Sequence, residues 1–205
     1  MCKKKSWKNS WHSIHPTPPT TSHNLIILGI DPSSTSTGYG LVEVTGNKHA
    51  FLACGCIRPK SKCSFEERLG QIYDGICKII SESGPHEVAV ESSFYGKDAN
   101  AAAKLGEARG VIRLAVHQSG LPIAAYTPAE VKKAVAGSGQ ATKEQVQFMI
   151  TRMFKLREMP RPLDASDALA IAICHIHSRQ VRGDVASHRQ RKPEVEALLA
   201  RMTTR

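Results

Sequence analysis

Aromatic side chains are scarce in this chain: Trp, Tyr and Phe make up 5% of 205 residues. One domain of ordinary size is expected, with a mostly aliphatic core. No apolar run approaches the roughly 18–20 residues of a membrane span, so no membrane partner is expected. The N-terminus carries lysines but no apolar h-region, which argues against a secretory signal. C-x-x-C pairs are missing among Cys2, Cys54, Cys56, Cys63, Cys77 and Cys174. That spacing argues against zinc and dithiol redox chemistry and suits reduced thiols in the cytoplasm. His175 and His177, two apart on a helix, face different directions and make a poor metal pair.

Acid is also missing, but only locally. Residues 1–24 carry Lys3, Lys4, Lys5 and Lys8 with no Asp or Glu, and residues 179–205 hold seven Lys/Arg against three Asp/Glu. The net charge of +10 therefore sits mainly at the ends of a nearly neutral middle. Basic tails of this kind suit an electrostatic hold on phosphates, although solvated tails are also common. The expected organisation is a disordered basic extension over 1–24, one domain over 25–178 and a basic tail over 179–205.

What the chain does have is a buried strand ending in a carboxylate. Ile26-Ile27-Leu28-Gly29-Ile30 runs directly into Asp31, and the Ser/Thr/Gly-rich turn Pro32–Gly38 follows. Such a run reads as a strand covered on both faces. A charge planted at its end is costly unless paired or bound to a metal. Asp31 also has a plainer reading, as a cap on the turn that Asp-Pro initiates.

Extended segments over 39–45 and 50–57, joined at Gly46-Asn47, complete an antiparallel meander. Ser64-Phe65-Glu66-Glu67 is a capping box opening an amphipathic helix that ends near Ser83-Gly84-Pro85. Val88-Ala89-Val90 is a second buried strand, and it too ends in a carboxylate, Glu91. Sites in α/β sheets gather at the carboxyl ends of strands. A small-residue helix over 98–119 carries Gly106 and Gly110, which suit either packing on the sheet or a dimer interface. A strand over 122–126 follows, then helices opened by Thr127-Pro128-Ala129-Glu130 and Thr142-Lys143-Glu144-Gln145. The last helix begins at Asp164.

Asp164 and Asp167, three apart, project from one face of that helix's first turn. Acids there favour the helix dipole, by about 0.3–1 kcal/mol, whatever else they do. The helix is otherwise small and apolar, so it must lie on the sheet, where its acids can join Asp31 and Glu91. Four converging carboxylates demand cations, and Mg²⁺ with its oxygen preference is the natural one. Two such ions form a phosphodiester-cleaving device. Basic tails plus a carboxylate cage point to a nuclease.

The residues that carry this reading also resemble a known family. ILGIDPSSTSTGYG at 27–40, GCIR at 55–58, VAVESSF at 88–94, KLGEARGV at 104–111, PAEVKKAVAGSGQATKEQV at 128–146 and DASDALAIAICH at 164–175 are similar to stretches of the RuvC family of Holliday-junction resolvases. The resemblance implies an α/β ribonuclease H-like fold: a mixed five-stranded sheet, antiparallel meander plus parallel strands, with helices on both faces. It implies a homodimer that resolves four-way junction DNA by paired symmetric nicks, with a branch-migration helicase complex as a further partner. Asp31, Glu91, Asp164 and Asp167 would be the catalytic acids, holding two Mg²⁺ per subunit, with Mn²⁺ as a substitute. Lys132 and Lys143 match phosphate-contacting lysines, against the plainer reading of solvated helix charge. Phe94 matches an aromatic that stacks on opened bases, against the plainer reading of a hydrophobic plug.

Two departures stand out. The family usually has Gly where Ser33 stands, which matters if the position needs a positive φ or a close approach to DNA. It also usually begins almost at the first strand, without an extension. An actin-like ATPase shares the turn pattern but needs a second Gly-rich phosphate loop, which is not found here. The rival within the fold is a junction-binding protein with impaired catalysis.

Overall fold

A period of two along the first strand decides which side chains meet which layer. In the computed structural model, which describes residues 24–92 and 98–188, β1 spans Leu25–Asp31. Ile27 belongs to one core cluster, while Leu28 and Ile30 belong to another on the opposite side. Alternation therefore places Gly29 and Asp31 on the Ile27 face. β4, Glu87–Glu91, runs parallel to β1, with Ile27 opposite Glu87 and Ile30 opposite Val90. Ala89 lies on the Ile27 side and Val88 and Val90 on the other. Glu91 thus shares a face and a strand end with Asp31.

The sheet order is β3-β2-β1-β4-β5, with β2 spanning Thr37–Thr45, β3 Lys48–Ile57 and β5 Ile123–Tyr126. β1, β2 and β3 are antiparallel neighbours; β1, β4 and β5 are parallel. This is the mixed five-stranded sheet expected from the sequence. Helices α1 (Phe65–Ser83) and α2 (Ala99–Gln118) cover the Leu28 face through Ile72, Ile76, Ala108 and Ile112. Helices α3 (Pro128–Ala136), α4 (Lys143–Met153) and α5 (Leu163–His188) build the other layer. Capping boxes open α1 at Ser64, α3 at Thr127 and α4 at Thr142. Each such cap is worth about 1 kcal/mol.

α5 runs on to His188, into the segment read from the sequence as a basic tail, and no proline interrupts residues 163–188. In α2, the stripe on the sheet is Ala108, Ile112, Ala115 and Val116. Gly106 and Gly110 face outward, and a Cβ on either would meet nothing within 4 Å. Packing on the sheet therefore does not explain these two glycines.

α5 lies unusually close to the sheet, and three glycines make that approach. A Cβ at Gly29 would stand 2.1 Å from the Ala168 carbonyl oxygen, and one at Gly40 would stand 2.8 Å from the Leu169 nitrogen. At Gly38 it would stand 2.1 Å from the Asp164 carbonyl oxygen. Gly29 pairs with Gly40 and Asp31 pairs with Gly38 across β1 and β2. The glycines thus form a trough along the strands, and α5 sits in it at Asp164, Ala168, Leu169 and Ala172.

Candidate active site

The trough delivers the first turn of α5 to the end of β1. One carboxylate oxygen from each of Asp31, Asp164 and Asp167 lies within 4.8 Å of the others. Glu91 lies outside that group of three but lines the same cavity, of about 210 Å³, with Asp31, Lys132, Lys143 and Asp167. Asp31, Glu91 and Asp167 thus line one cavity with both lysines, and Asp164 joins them through its approach to Asp31 and Asp167. Phe94 lies outside the described residues.

The electrostatics are those of a site short of positive charge. Burial, then the charges of Glu91, Asp167 and Asp164, raise the Asp31 carboxyl from 3.8 to about 7. Lys143 opposes this only in part. Its Nζ lies 2.8 Å from Asp167 Oδ2, and that bond raises the ammonium above its ordinary value. The N-terminal cap of α4 places Lys143 there, since Thr142 accepts from the Gln145 N–H one turn on.

An all-oxygen donor set, partly buried and with a carboxyl that resists ionisation, fits a hard divalent cation. Soft metals prefer sulfur or imidazole; the Cys56 thiol has its Sγ 4.0 Å from Asp164 Oδ2 and is pushed up by burial. A carboxylate cluster of this kind recruits cations, and phosphate esters bring more negative charge that only cations and lysines can offset.

Sequence reasoning missed one participant. The Ser36 hydroxyl donates to Asp164 Oδ2 at 2.6 Å, across 128 residues of chain. The composition of the Ser/Thr-rich segment marks a turn, and nothing in it says which hydroxyl meets an acid. One of the two conditions on Ser33 is answered: among described non-glycine residues only Lys155 has a positive φ, so the backbone at 33 accepts a serine without strain.

The strand order, the parallel and antiparallel pairings and the carboxylates at the end of the central strand define an α/β protein of ribonuclease H-like fold with an acidic edge. Residues 27–175 match the family model described as crossover junction endodeoxyribonuclease RuvC. The chain belongs to the RuvC family. It is 48% identical over 153 residues to the crossover junction endodeoxyribonuclease RuvC of Pelotomaculum thermopropionicum, covering 75% of this chain and 93% of the relative. It is 44% identical over 158 residues to that of Natranaerobius thermophilus, covering 77% and 98%. Thermus thermophilus RuvC in complex with a Holliday junction substrate is similar at a TM-score of 0.72 and 36% identity, over 76% of this chain and 96% of that one.

Proposed function

We propose that this protein is a Mg²⁺-dependent endonuclease that resolves Holliday junctions by paired symmetric nicks. The observation that carries the reading is the meeting of Asp31, Asp164 and Asp167 at one point, in a chain of the RuvC family. Asp31, Glu91, Asp164 and Asp167 are the residues that would hold Mg²⁺, two ions per subunit, with Mn²⁺ able to substitute. Bound there, the ions would supply activation of a water and charge stabilisation at the leaving oxygen. The chain's own part is to fix four oxygen donors on a strand edge and a helix turn, both rigid elements. Lys132 and Lys143, which line the same cavity, would steer and hold the phosphates flanking the cut. Phe94, two residues beyond Ser92, is assigned base stacking on the family resemblance alone. Reduced cysteines suit action in the cytoplasm, and a branch-migration helicase is the partner the family implies.

A homodimer matches two symmetric cuts, and the outward face of α2 is our choice of interface. Gly106 and Gly110 leave that face without side chains, and Leu114 beside them is 49% exposed. Small residues let two helices approach closely. Gly106→Leu is expected to shift the protein toward monomer in sedimentation; an unchanged dimer moves the interface elsewhere.

The direct test is a nicking assay on a synthetic four-way junction and a matched linear duplex, with Mg²⁺ and with EDTA. Paired cuts in the junction only, lost with EDTA, are expected. Tight binding without cutting identifies instead a junction-binding protein with impaired catalysis. Equal cutting of both substrates keeps the metal site and sinks the junction selectivity.

A further inference from the structure

The turn after β1 contains a chain of hydroxyl bonds that ends on one of the acids. Ser33 Oγ accepts from the Thr35 N–H at 3.2 Å and the Ser36 N–H at 3.4 Å. Below it the fully buried Thr37 hydroxyl donates to the Ser33 carbonyl at 2.6 Å. The turn is thereby tied on both sides, and the residue it presents is Ser36. Its hydroxyl donates to Asp164 Oδ2 at 2.6 Å, within the short range of bonds to an ionised acceptor. The Cys56 thiol, 4.0 Å from the same oxygen, is a weak donor and a poor substitute.

Asp164 needs such a partner because it has somewhere else to go. A carboxylate in the first turn of a helix can fold back onto the free backbone N–H groups there. In that rotamer it would no longer face Asp31. We propose that Ser36 is a positioning residue for Asp164, holding its carboxylate in the cation-accepting orientation, and that Ser33 sets Ser36. Partners outside the ligands themselves commonly govern metal affinity in this way, by about 10–100-fold. The departure from the family's usual glycine at Ser33 is thereby accounted for, since the serine hydroxyl stiffens a turn that a glycine would leave loose. The inference rests on the reading of Asp31, Asp164 and Asp167 as the metal ligands.

Titration of the metal-free full-length protein with Mn²⁺, read by electron paramagnetic resonance, tests it without any turnover. Ser36→Ala is expected to weaken Mn²⁺ binding by about 10–100-fold, with the Tm of the metal-free protein nearly unchanged. Ser36→Thr should restore affinity, and cleavage by Ser36→Ala should recover at high Mn²⁺. Asp31→Asn serves as the reference for loss of a ligand. Wild-type affinity in Ser36→Ala beside weakened binding in Asp31→Asn overturns the positioning role and leaves the carboxylate site standing. Wild-type affinity in both removes the site assignment, and the inference with it. Should Ser36→Ala lose its fold, Ser36→Cys, of similar size but a weak donor, carries the same expectation of weakened binding.

Discussion

Asp31→Asn is expected to reduce junction cleavage by at least about a thousandfold, which corresponds to roughly 4 kcal/mol of barrier at 1.36 kcal/mol per tenfold. The amide keeps the shape and the single strand-end position but loses the charge that draws the cation. Junction binding should persist, tighter if anything, because one negative charge facing the phosphates is gone. The same substitution is expected to stabilise the metal-free protein. Burial and the charges of Glu91, Asp167 and Asp164 hold the Asp31 carboxyl at about 7 in the folded chain. Between the ordinary value of 3.8 and about 7 the folded state therefore binds more protons than the unfolded state. Stability falls as pH rises through that window, and the full penalty is present above it. At about 1.4 kcal/mol per pH unit of displacement, the penalty is on the order of a few kcal/mol. Asp31→Asn should thus raise the Tm at pH 8 by several degrees, given about 2–4 °C per kcal/mol for a chain of this size. Near pH 4 the two proteins should melt nearly together. Thermal melts at both pH values without metal, beside a nicking assay, check both halves. Cleavage at the wild-type rate means that the catalytic acids are elsewhere; equal melting at pH 8 means that Asp31 is not held against its ionisation.

The second large effect is expected at a residue with no side chain. Gly38 faces the first turn of α5, where a Cβ would stand 2.1 Å from the Asp164 carbonyl oxygen and 2.6 Å from its carbonyl carbon. Both obstacles are backbone, so no rotamer change relieves them. Gly38→Val must push the start of α5 away from β2, and Asp164 and Asp167 move with it. Overpacking of this kind costs about 1–3 kcal/mol, and more where the neighbour is backbone. A displacement of roughly 1 Å at a catalytic group can cost about a hundredfold in rate. The variant is therefore expected to lose several degrees of Tm and most of its cleavage. Gly70, in α1, is the control: a Cβ there meets nothing within 4 Å, and Gly70→Ala should stabilise the helix by about 0.5–1 kcal/mol. If Gly38→Val melts and cuts like the wild type, α5 is not seated in a glycine trough.

The two residues differ in how far the sequence could reveal them. Asp31 was legible because a charge at the end of an apolar run contradicts its surroundings, and Glu91 repeated the pattern on a second strand. Asp164 and Asp167 were legible as neighbours on one helical turn, on a helix otherwise small and apolar. The capping boxes at Ser64, Thr127 and Thr142 opened helices as read, since those bonds join residues three apart. Gly29, Gly38 and Gly40 gave no such signal. A glycine in a strand marks some close approach, but not what approaches. Gly106 and Gly110 show the converse, since their spacing suited either packing on the sheet or a dimer interface, and the structure gives the sheet contact to Ala108 and Ile112.

What the sequence by itself determined here is everything written in local periods: strand faces from alternation, helix faces from spacing of three and four, and helix starts from their caps; it also offered four acids as candidates. What only the tertiary structure decided is how these meet. The distance between Asp31 and the acids of α5, the salt bridge from Lys143 to Asp167 and the bond from Ser36 to Asp164 all join segments remote in the chain. No local energy specifies such contacts. They follow from α5 sinking into a trough of glycines, a consequence of side chains that are absent, and absence carries no direction until the helix is in place.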